Sequence, residues 1–204
     1  MLGLFLMAFA AAADRPSMGI VISESSFRQQ WGVTQMSGQG WAGIAHLAGI
    51  PYDTMFLSDI AEARDLSKYR VLVFAQCSSA EDKLTEGLVR ALRDYLRAGG
   101  NVIIDGPLGI YDENAKPREK QVLHELLGLN YIGLKGDSNC RIRVATTDHF
   151  VTRQFEGGQF LTQHLAKGLN ILNFAESGDV LLSSTDGNEF ALKANTALFL
   201  NLNG

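Results

Sequence analysis

Residues 69–75, Tyr-Arg-Val-Leu-Val-Phe-Ala, form an almost unbroken apolar run that decides the fold of this chain. Such a run is typical of a parallel β-strand that is covered on both faces. A second run of this kind, Asn101–Asp105, follows after a helical pattern that Gly99 and Gly100 end. The apolar positions of that helix are Leu84, Leu88, Leu92 and either Tyr95 or Leu96. The segment therefore predicts a strand–helix–strand unit with parallel strands.

Other apolar runs predict the rest of a single α/β domain. A helix is expected over residues 37–48 although Gly38, Gly40 and Gly43 weaken it, so packing against the sheet must hold it. Residues 24–28 are expected in a loop, and residues 148–152 begin a turn. The predicted further strands are Met18–Ser23, Thr54–Leu57, Arg141–Ala145, Asp179–Ser183 and Ala197–Leu202, with a hairpin turn at Asp186–Asn188.

The composition excludes several classes of function. The chain has 204 residues, 46% of them hydrophobic and 20% charged, which is ordinary for a globular domain with a sizeable core. Its net charge of -4 and the lack of any Lys/Arg cluster set nucleic acid aside as a partner. The four histidines are scattered and no His/Cys set has zinc spacing, so we expect neither a metal nor a cofactor.

The N-terminus predicts export. Residues 1–13 are apolar throughout and end in three alanines, the small-residue pattern that signal peptidase cleaves, although no Lys or Arg precedes the apolar run. The run is too short to span a bilayer as an anchored helix. We therefore expect a signal peptide at 1–13, a domain at 17–204, no membrane span in the mature chain and a secreted or periplasmic location. A buried N-terminal strand or helix is the alternative.

The candidate site lies where the predicted strands end, because open parallel sheets bind ligands at the carboxyl ends of their strands. Cys77 has the position of a nucleophile, and a helix beginning at Ser78 or Ser79 would help to lower its pKa. A buried or disulfide-bonded Cys77 is the simpler interpretation, with Cys140 as the other cysteine. The ligand-cleft candidates are Glu24, Gln76, Cys77, Ser78, Asp105 and Tyr111.

The chain resembles the class I glutamine amidotransferase-like superfamily, above all the trimerisation (middle) domain of bacterial beta-galactosidases. The motifs that carry the likeness are residues 69–73, the helix end at 98–100, Gly109-Ile110-Tyr111-Asp112-Glu113, and Leu126-Leu127-Gly128. The resemblance covers about three-quarters of the chain, as judged by eye. It implies an α/β, flavodoxin-like three-layer sandwich with a mostly parallel central sheet.

The departures from that superfamily bear on function. Active amidotransferases carry a G-x-C-x-G turn that exposes the thiolate beside backbone N–H donors. Here Cys77 stands in Ala-Gln-Cys-Ser-Ser, and no His-x-Glu pair is present. The leading hypothesis is a non-catalytic domain associated with carbohydrate processing, which contacts a carbohydrate, a carbohydrate-active enzyme or further copies of itself. The alternative is a hydrolase with an unrecognised site at Cys77 or Asp105.

Overall fold

An eight-stranded sheet forms the centre of the protein in a computed structural model. The structure describes residues 17–28, 32–61, 65–75, 77, 85–105, 108, 129–135, 141–150, 152–161, 170–175, 179–184, 189–193 and 197–200. The strands are β1 Met18–Ile22, β2 Tyr52–Phe56, β3 Val71–Ala75, β4 Asn101–Asp105, β5 Leu129–Lys135, β6 Ile142–Val144, β7 Asn170–Ala175, β8 Asp179–Ser184, β9 Glu189–Lys193 and β10 Ala197–Leu200. The helices are α1 Glu24–Arg28, α2 Gly32–Leu47, α3 Leu57–Ala61 and α4 Glu86–Arg97.

The large sheet runs in the order β2-β1-β3-β4-β10-β9-β8-β6. Its first five strands are parallel, and β9, β8 and β6 extend it by antiparallel pairing. The chain moves outward from β1 to β2 and then returns to β3 on the other side. This reversal between β1 and β3 is the topological switch point of a doubly wound sheet. The predicted flavodoxin-like α/β fold is confirmed.

Helices cover both faces of the parallel strands. Along β3, Leu72 and Phe74 pack towards α3 and α4, whereas Val73 and Ala75 pack towards α2, and all four are fully buried. A leucine, valine or phenylalanine side chain contributes about 2 kcal/mol when it is fully buried. Burial on both faces explains why residues 71–75 read as a continuous apolar run rather than as an alternating one.

Helix α4 confirms the predicted unit and corrects its start. Leu88, Leu92 and Tyr95 are its buried stripe, as predicted. Its N-cap is Thr85, whose hydroxyl accepts a hydrogen bond from the Leu88 N–H at 3.2 Å. The prediction of Ser78 or Ser79 as the N-cap of this helix was therefore wrong; both serines lie outside the described residues. Serine is an acceptable N-cap residue, but the helix that carries the buried stripe begins after Thr85.

The C-terminus of α4 is closed as the sequence predicts. Gly99 has φ +88°, and its N–H donates to the Leu96 carbonyl, while the Gly100 N–H donates to the Tyr95 carbonyl. This pair of bonds is the Schellman motif, which favours glycine at the left-handed position. Helix α2 ends in the same way at Gly49, which has φ +66°.

The region between β1 and β3 differs in detail from the predictions. Residues 24–28 form helix α1 rather than a loop, and Glu24 occupies its first turn, where the helix dipole favours an anion. Helix α2 starts at Gly32, before the predicted residue 37, and packs on the sheet through Trp41, Ala42 and Ala45. Helix α3 begins at Leu57, the last residue of the predicted strand Thr54–Leu57, and its Ile60 is fully buried.

The second half of the chain holds both confirmed and missed elements. Strands β6 and β10 fall within the predicted ranges, and β8 extends one residue past its predicted end at Ser183. Strands β8 and β9 pair antiparallel, whereas the predicted turn residues Asp186–Asn188 lie outside the described residues. The turn after Asp148 is present, with the Arg153 N–H donating to the His149 carbonyl at 2.8 Å. Strands β5 and β7, which form a separate two-stranded sheet, were not predicted. Tyr111 and the leucine-rich segment 122–127 lie outside the described residues. Within the described part, no helix is both long and apolar enough to cross a bilayer.

Tyr95 joins the end of α4 to the start of β4. Its hydroxyl accepts a hydrogen bond from the Asn101 N–H at 3.3 Å and lies 3.3 Å from the Tyr69 carbonyl oxygen. The ring covers Gly100 so closely that a Cβ there would lie 2.3 Å from its Cζ atom. Helix end, strand start and the segment before β3 are thus fixed by one side chain.

We expect Gly100→Ala to lower the free energy of unfolding by about 3 kcal/mol, because the new methyl group overlaps the Tyr95 ring. Gly157→Ala is the matched control, since no atom lies within 4 Å of its added Cβ. Urea denaturation of the three proteins measures the difference. Equal stability of the two variants would contradict the close contact between Gly100 and Tyr95.

We expect Tyr95→Phe to lower the free energy of unfolding by about 1 kcal/mol at neutral pH and to change its pH dependence. Burial raises the pKa of Tyr95 from 10.0 to about 12. The unfolded chain therefore loses this proton first, so the Tyr95 contribution is complete below pH 10 and is lost as the pH rises towards about 12. Denaturation between pH 8 and pH 12 should show a smaller decline for Tyr95→Phe than for the parent or for Tyr52→Phe, which alters an exposed ring.

Candidate functional site

Three side chains mark the carboxyl ends of the central strands, and we call Ser23, Cys77 and Asp105 the strand-end rim. Ser23 follows β1, Cys77 lies just beyond β3 and Asp105 is the last residue of β4. The register sets Ile22 beside Ala75, and Ala75 beside Asp105, so the three ends are level. The sequence prediction that Cys77 and Asp105 occupy one edge of a parallel sheet agrees with this arrangement. Gln76, Ser78 and Tyr111 lie outside the described residues.

Cys77 is a buried thiol within the core between the sheet, α3 and α4, with 1% of its surface exposed. Its Sγ lies 3.6 Å from the Val21 carbonyl oxygen and 3.9 Å from that of Ala75. The N-terminus of α4 is at Thr85 rather than directly after Cys77, so the helix expected to acidify this thiol does not begin there. A thiol so placed behaves as a small core side chain. Cys140 lies outside the described residues.

Asp105 connects β4 to α2. Its Oδ2 accepts a hydrogen bond from the Trp41 indole N–H at 3.1 Å, and only 3% of the residue is exposed. A buried carboxylate needs such donors, because leaving it without them costs several kcal/mol. Trp41 itself packs from α2 onto the buried cluster that includes Val73 and Ala75. The hydrogen bond from Trp41 thus uses Asp105 to join α2 to the end of β4.

Glu24 connects α1 to α3. Its Oε1 accepts from the Arg28 guanidinium one turn along α1, and its Oε2 accepts from the Ser58 hydroxyl at 3.2 Å. The Arg28 side chain is 75% exposed, so the ion pair itself contributes little to stability. The contact to Ser58 is the informative one, because it fixes α1 against the start of α3. Glu24 is therefore engaged in holding α1.

A pocket of about 330 Å³ opens beside the rim, at the carboxyl ends of β1 and β2 and under α2. We call it the edge pocket, and its described lining residues are Ile22, Ser23, Phe27, Gly38, Gln39, Ala42, Thr54 and Phe56. Its volume lies within the range of small-molecule sites. Sequence reasoning missed it apart from the neighbouring Glu24, because its lining comes from four separate segments. The one signal was the position of two predicted strand ends.

The described residues contain no group of three or more His, Cys, Asp or Glu side chains placed to hold a metal ion. At the rim, Cys77 is packed in the core and Asp105 is hydrogen-bonded to Trp41, whereas Ser23 also lines the edge pocket. The open volume therefore adjoins the rim at Ser23, and neither Cys77 nor Asp105 is among its described lining residues.

Comparison with known proteins supports the fold. No protein-family model and no curated protein matches the sequence. The solved structure of a ThuA-like protein from Bacteroides uniformis aligns over 93% of this chain and 82% of its own, with a TM-score of 0.65 and 13% sequence identity. ThuA has a glutamine amidotransferase-like fold. At this identity the similarity shows the fold alone, and it agrees with the fold that the sequence resemblance implied.

Two carbohydrate enzymes align less well. A beta-galactosidase from Bifidobacterium adolescentis aligns over 87% of this chain and 84% of its own, at 20% identity and a TM-score of 0.43. The apo exo-carrageenase GH42 from Bacteroides ovatus aligns over 90% of this chain and 28% of its own, at 12% identity and a TM-score of 0.33. These scores are too low to support an argument about function or assembly.

We expect Cys77 to react slowly with iodoacetamide at neutral pH in the folded protein. Alkylation requires the thiol to leave the core, so the rate should be roughly a hundredfold below that of the unfolded chain. Mass spectrometry of a Cys140→Ser variant isolates Cys77, and the same protein in urea is the control. Labelling in the folded state at or above the unfolded rate would show that the thiol is accessible and activated.

Proposed function

We propose that this chain is a non-catalytic, amidotransferase-like domain that binds a ligand or a partner subunit in carbohydrate processing. The non-catalytic part of this proposal is supported by the contacts that Cys77 and Asp105 make at the strand-end rim. The Cys77 thiol is directed into the core towards the Val21 carbonyl, and Asp105 is held by Trp41. Side chains bound in this way stabilise the fold, and neither contact serves a reacting substrate.

The edge pocket favours ligand contact over purely structural use of the fold. Ligand-binding clefts in doubly wound proteins lie at the carboxyl ends of the strands, and this pocket lies at the ends of β1 and β2. Carbohydrate is proposed as the ligand class from the sequence resemblance around residues 109–113. Subunit contact, including self-association, is the other route by which such a domain would act.

Export belongs to the same proposal. Residues 1–13 have the apolar run and the small residues at 11–13 of a cleaved signal peptide. A secreted or periplasmic domain would meet extracellular or periplasmic carbohydrate directly. Neither the structure of the described residues nor the fold comparison bears on this point, so it stays a prediction.

The proposal is tested by measuring binding and turnover on the same purified chain. We expect saturable binding to members of a carbohydrate panel and no turnover of nitrophenyl glycosides, nitrophenyl esters or glutamine. Cys77→Ala and Asp105→Asn should retain the binding, because both residues lie outside the described lining of the edge pocket. Isothermal titration calorimetry and product release provide the two readouts.

The same experiment separates the alternative. Asp105 is a buried carboxylate at a strand end, which is where a hydrolase of this fold would hold a catalytic acid. Turnover that both Cys77→Ala and Asp105→Asn abolish, in proteins that keep their parent denaturation midpoint, would establish the hydrolase and overturn the non-catalytic proposal.

A further inference from the structure

The edge pocket has one aromatic wall that is accessible to a ligand. Phe27 of α1 and Phe56 of β2 meet edge to face, with ring centroids 5.9 Å apart and an interplanar angle of 64°. Phe27 remains 48% exposed, although a large apolar side chain gains from burial. An exposed aromatic ring at the mouth of a pocket is suited to contact the apolar face of a ring-shaped ligand.

The polar groups of the pocket are few and uncharged. The side chains of Gln39 and Thr54 are exposed, and among the described residues neither has a hydrogen-bond partner. An amide and a hydroxyl bind ligand hydroxyl groups, because each can both donate and accept. None of the described lining residues carries a formal charge. A charged ligand would therefore lose its hydration with no compensating partner from this lining.

The position of the aromatic wall is set from outside the pocket. Phe27 lies one turn after Glu24 on a helix of five residues, which is too short to be stable by itself. The bond from the Ser58 hydroxyl to Glu24 attaches that helix to α3, and the Phe27 N–H donates to the Ser23 carbonyl at 3.0 Å. Glu24 and Ser58 are therefore positioning residues for Phe27.

We propose that the edge pocket is a binding site for a small uncharged ring that has an apolar face and hydroxyl groups at its edge. The ring lies against Phe27, and Gln39 and Thr54 bind its hydroxyl groups. A pyranose sugar and a hydroxylated aromatic ring both have this chemistry. The choice of a pyranose rests on the proposed carbohydrate function, whereas the site itself rests on the lining alone.

The test measures binding of galactose, glucose, glucuronate, phenol and benzoate to the full chain by saturation-transfer NMR and calorimetry. A single ring binds weakly, so concentrations up to about 10 mM are needed. We expect a neutral member of the panel to bind and its carboxylate analogue to bind at least about tenfold more weakly. Preference for the charged analogue, or no binding by any of the five compounds, would overturn the proposal.

Variants locate the site. Phe27→Ala should weaken binding about tenfold through loss of the wall, and Thr54→Val about fivefold through loss of one hydroxyl at constant volume. Ser58→Ala should weaken it about threefold by releasing α1. The matched controls are Phe150→Ala and Leu47→Ala, which remove side chains that are 71% and 88% exposed outside the described lining, and both should bind like the parent.

The outcomes separate this proposal from the broader one. Sugar binding that Phe27→Ala and Thr54→Val leave unchanged would refute the edge pocket as the site while leaving a carbohydrate-binding domain. Phenol binding that both variants weaken, with no sugar binding, would support the pocket and contradict the carbohydrate assignment. Because Thr54→Val keeps the shape of an exposed strand residue, its result stands even where Phe27→Ala fails to fold.

Discussion

Burial of the parallel strands on both faces is the constraint on which the rest of this structure depends. Because α2 covers one face and α3 and α4 cover the other, every side chain of β3 from Leu72 to Ala75 is fully enclosed. The enclosure extends past the strand ends, so Cys77 is drawn into the α4 side and Asp105 is reached by Trp41 from the α2 side. The packing that stabilises the sheet thus also buries the Cys77 thiol and brings Trp41 within hydrogen-bonding distance of Asp105.

Strand β2, at one edge of the sheet, is not buried in this way. Among the strands that the structure describes, β2 pairs only with β1, and the side chains of Tyr52 and Thr54 remain exposed. Here α2 approaches the sheet through Gly38, where an added Cβ would lie 3.0 Å from Ile22 Cγ2. Close approach at one point leaves space beside it, and the edge pocket occupies that space. The open pocket at the edge and the engaged side chains of Cys77 and Asp105 therefore both follow from the way the helices cover the sheet.

The sequence predicted the fold well where one physical signal dominated. Continuous apolar runs identified β1, β3 and β4, and Gly99 identified the end of α4, because few other residues adopt its positive φ. The sequence analysis was wrong where several residues were equally suited to the same structural position. Ser78, Ser79 and Thr85 are all acceptable N-caps by residue type, and in the structure Thr85 is the N-cap. Strands β5 and β7 form a separate two-stranded sheet, and polar residues or glycine interrupt the apolar residues of both segments, so no continuous apolar run indicated them.

The candidate site was predictable only in part. The rule that ligands bind at strand carboxyl ends led to Cys77, Asp105 and Glu24, whose side chains the structure engages in burial and hydrogen bonds. The two most reactive of these side chains, Cys77 and Asp105, lie near the centre of the sheet, where they are buried and therefore not accessible to a ligand. The residues around the open volume, such as Thr54 and Gln39, are chemically ordinary and come from separate elements. Their grouping is a tertiary property, which sequence patterns within single segments do not reveal.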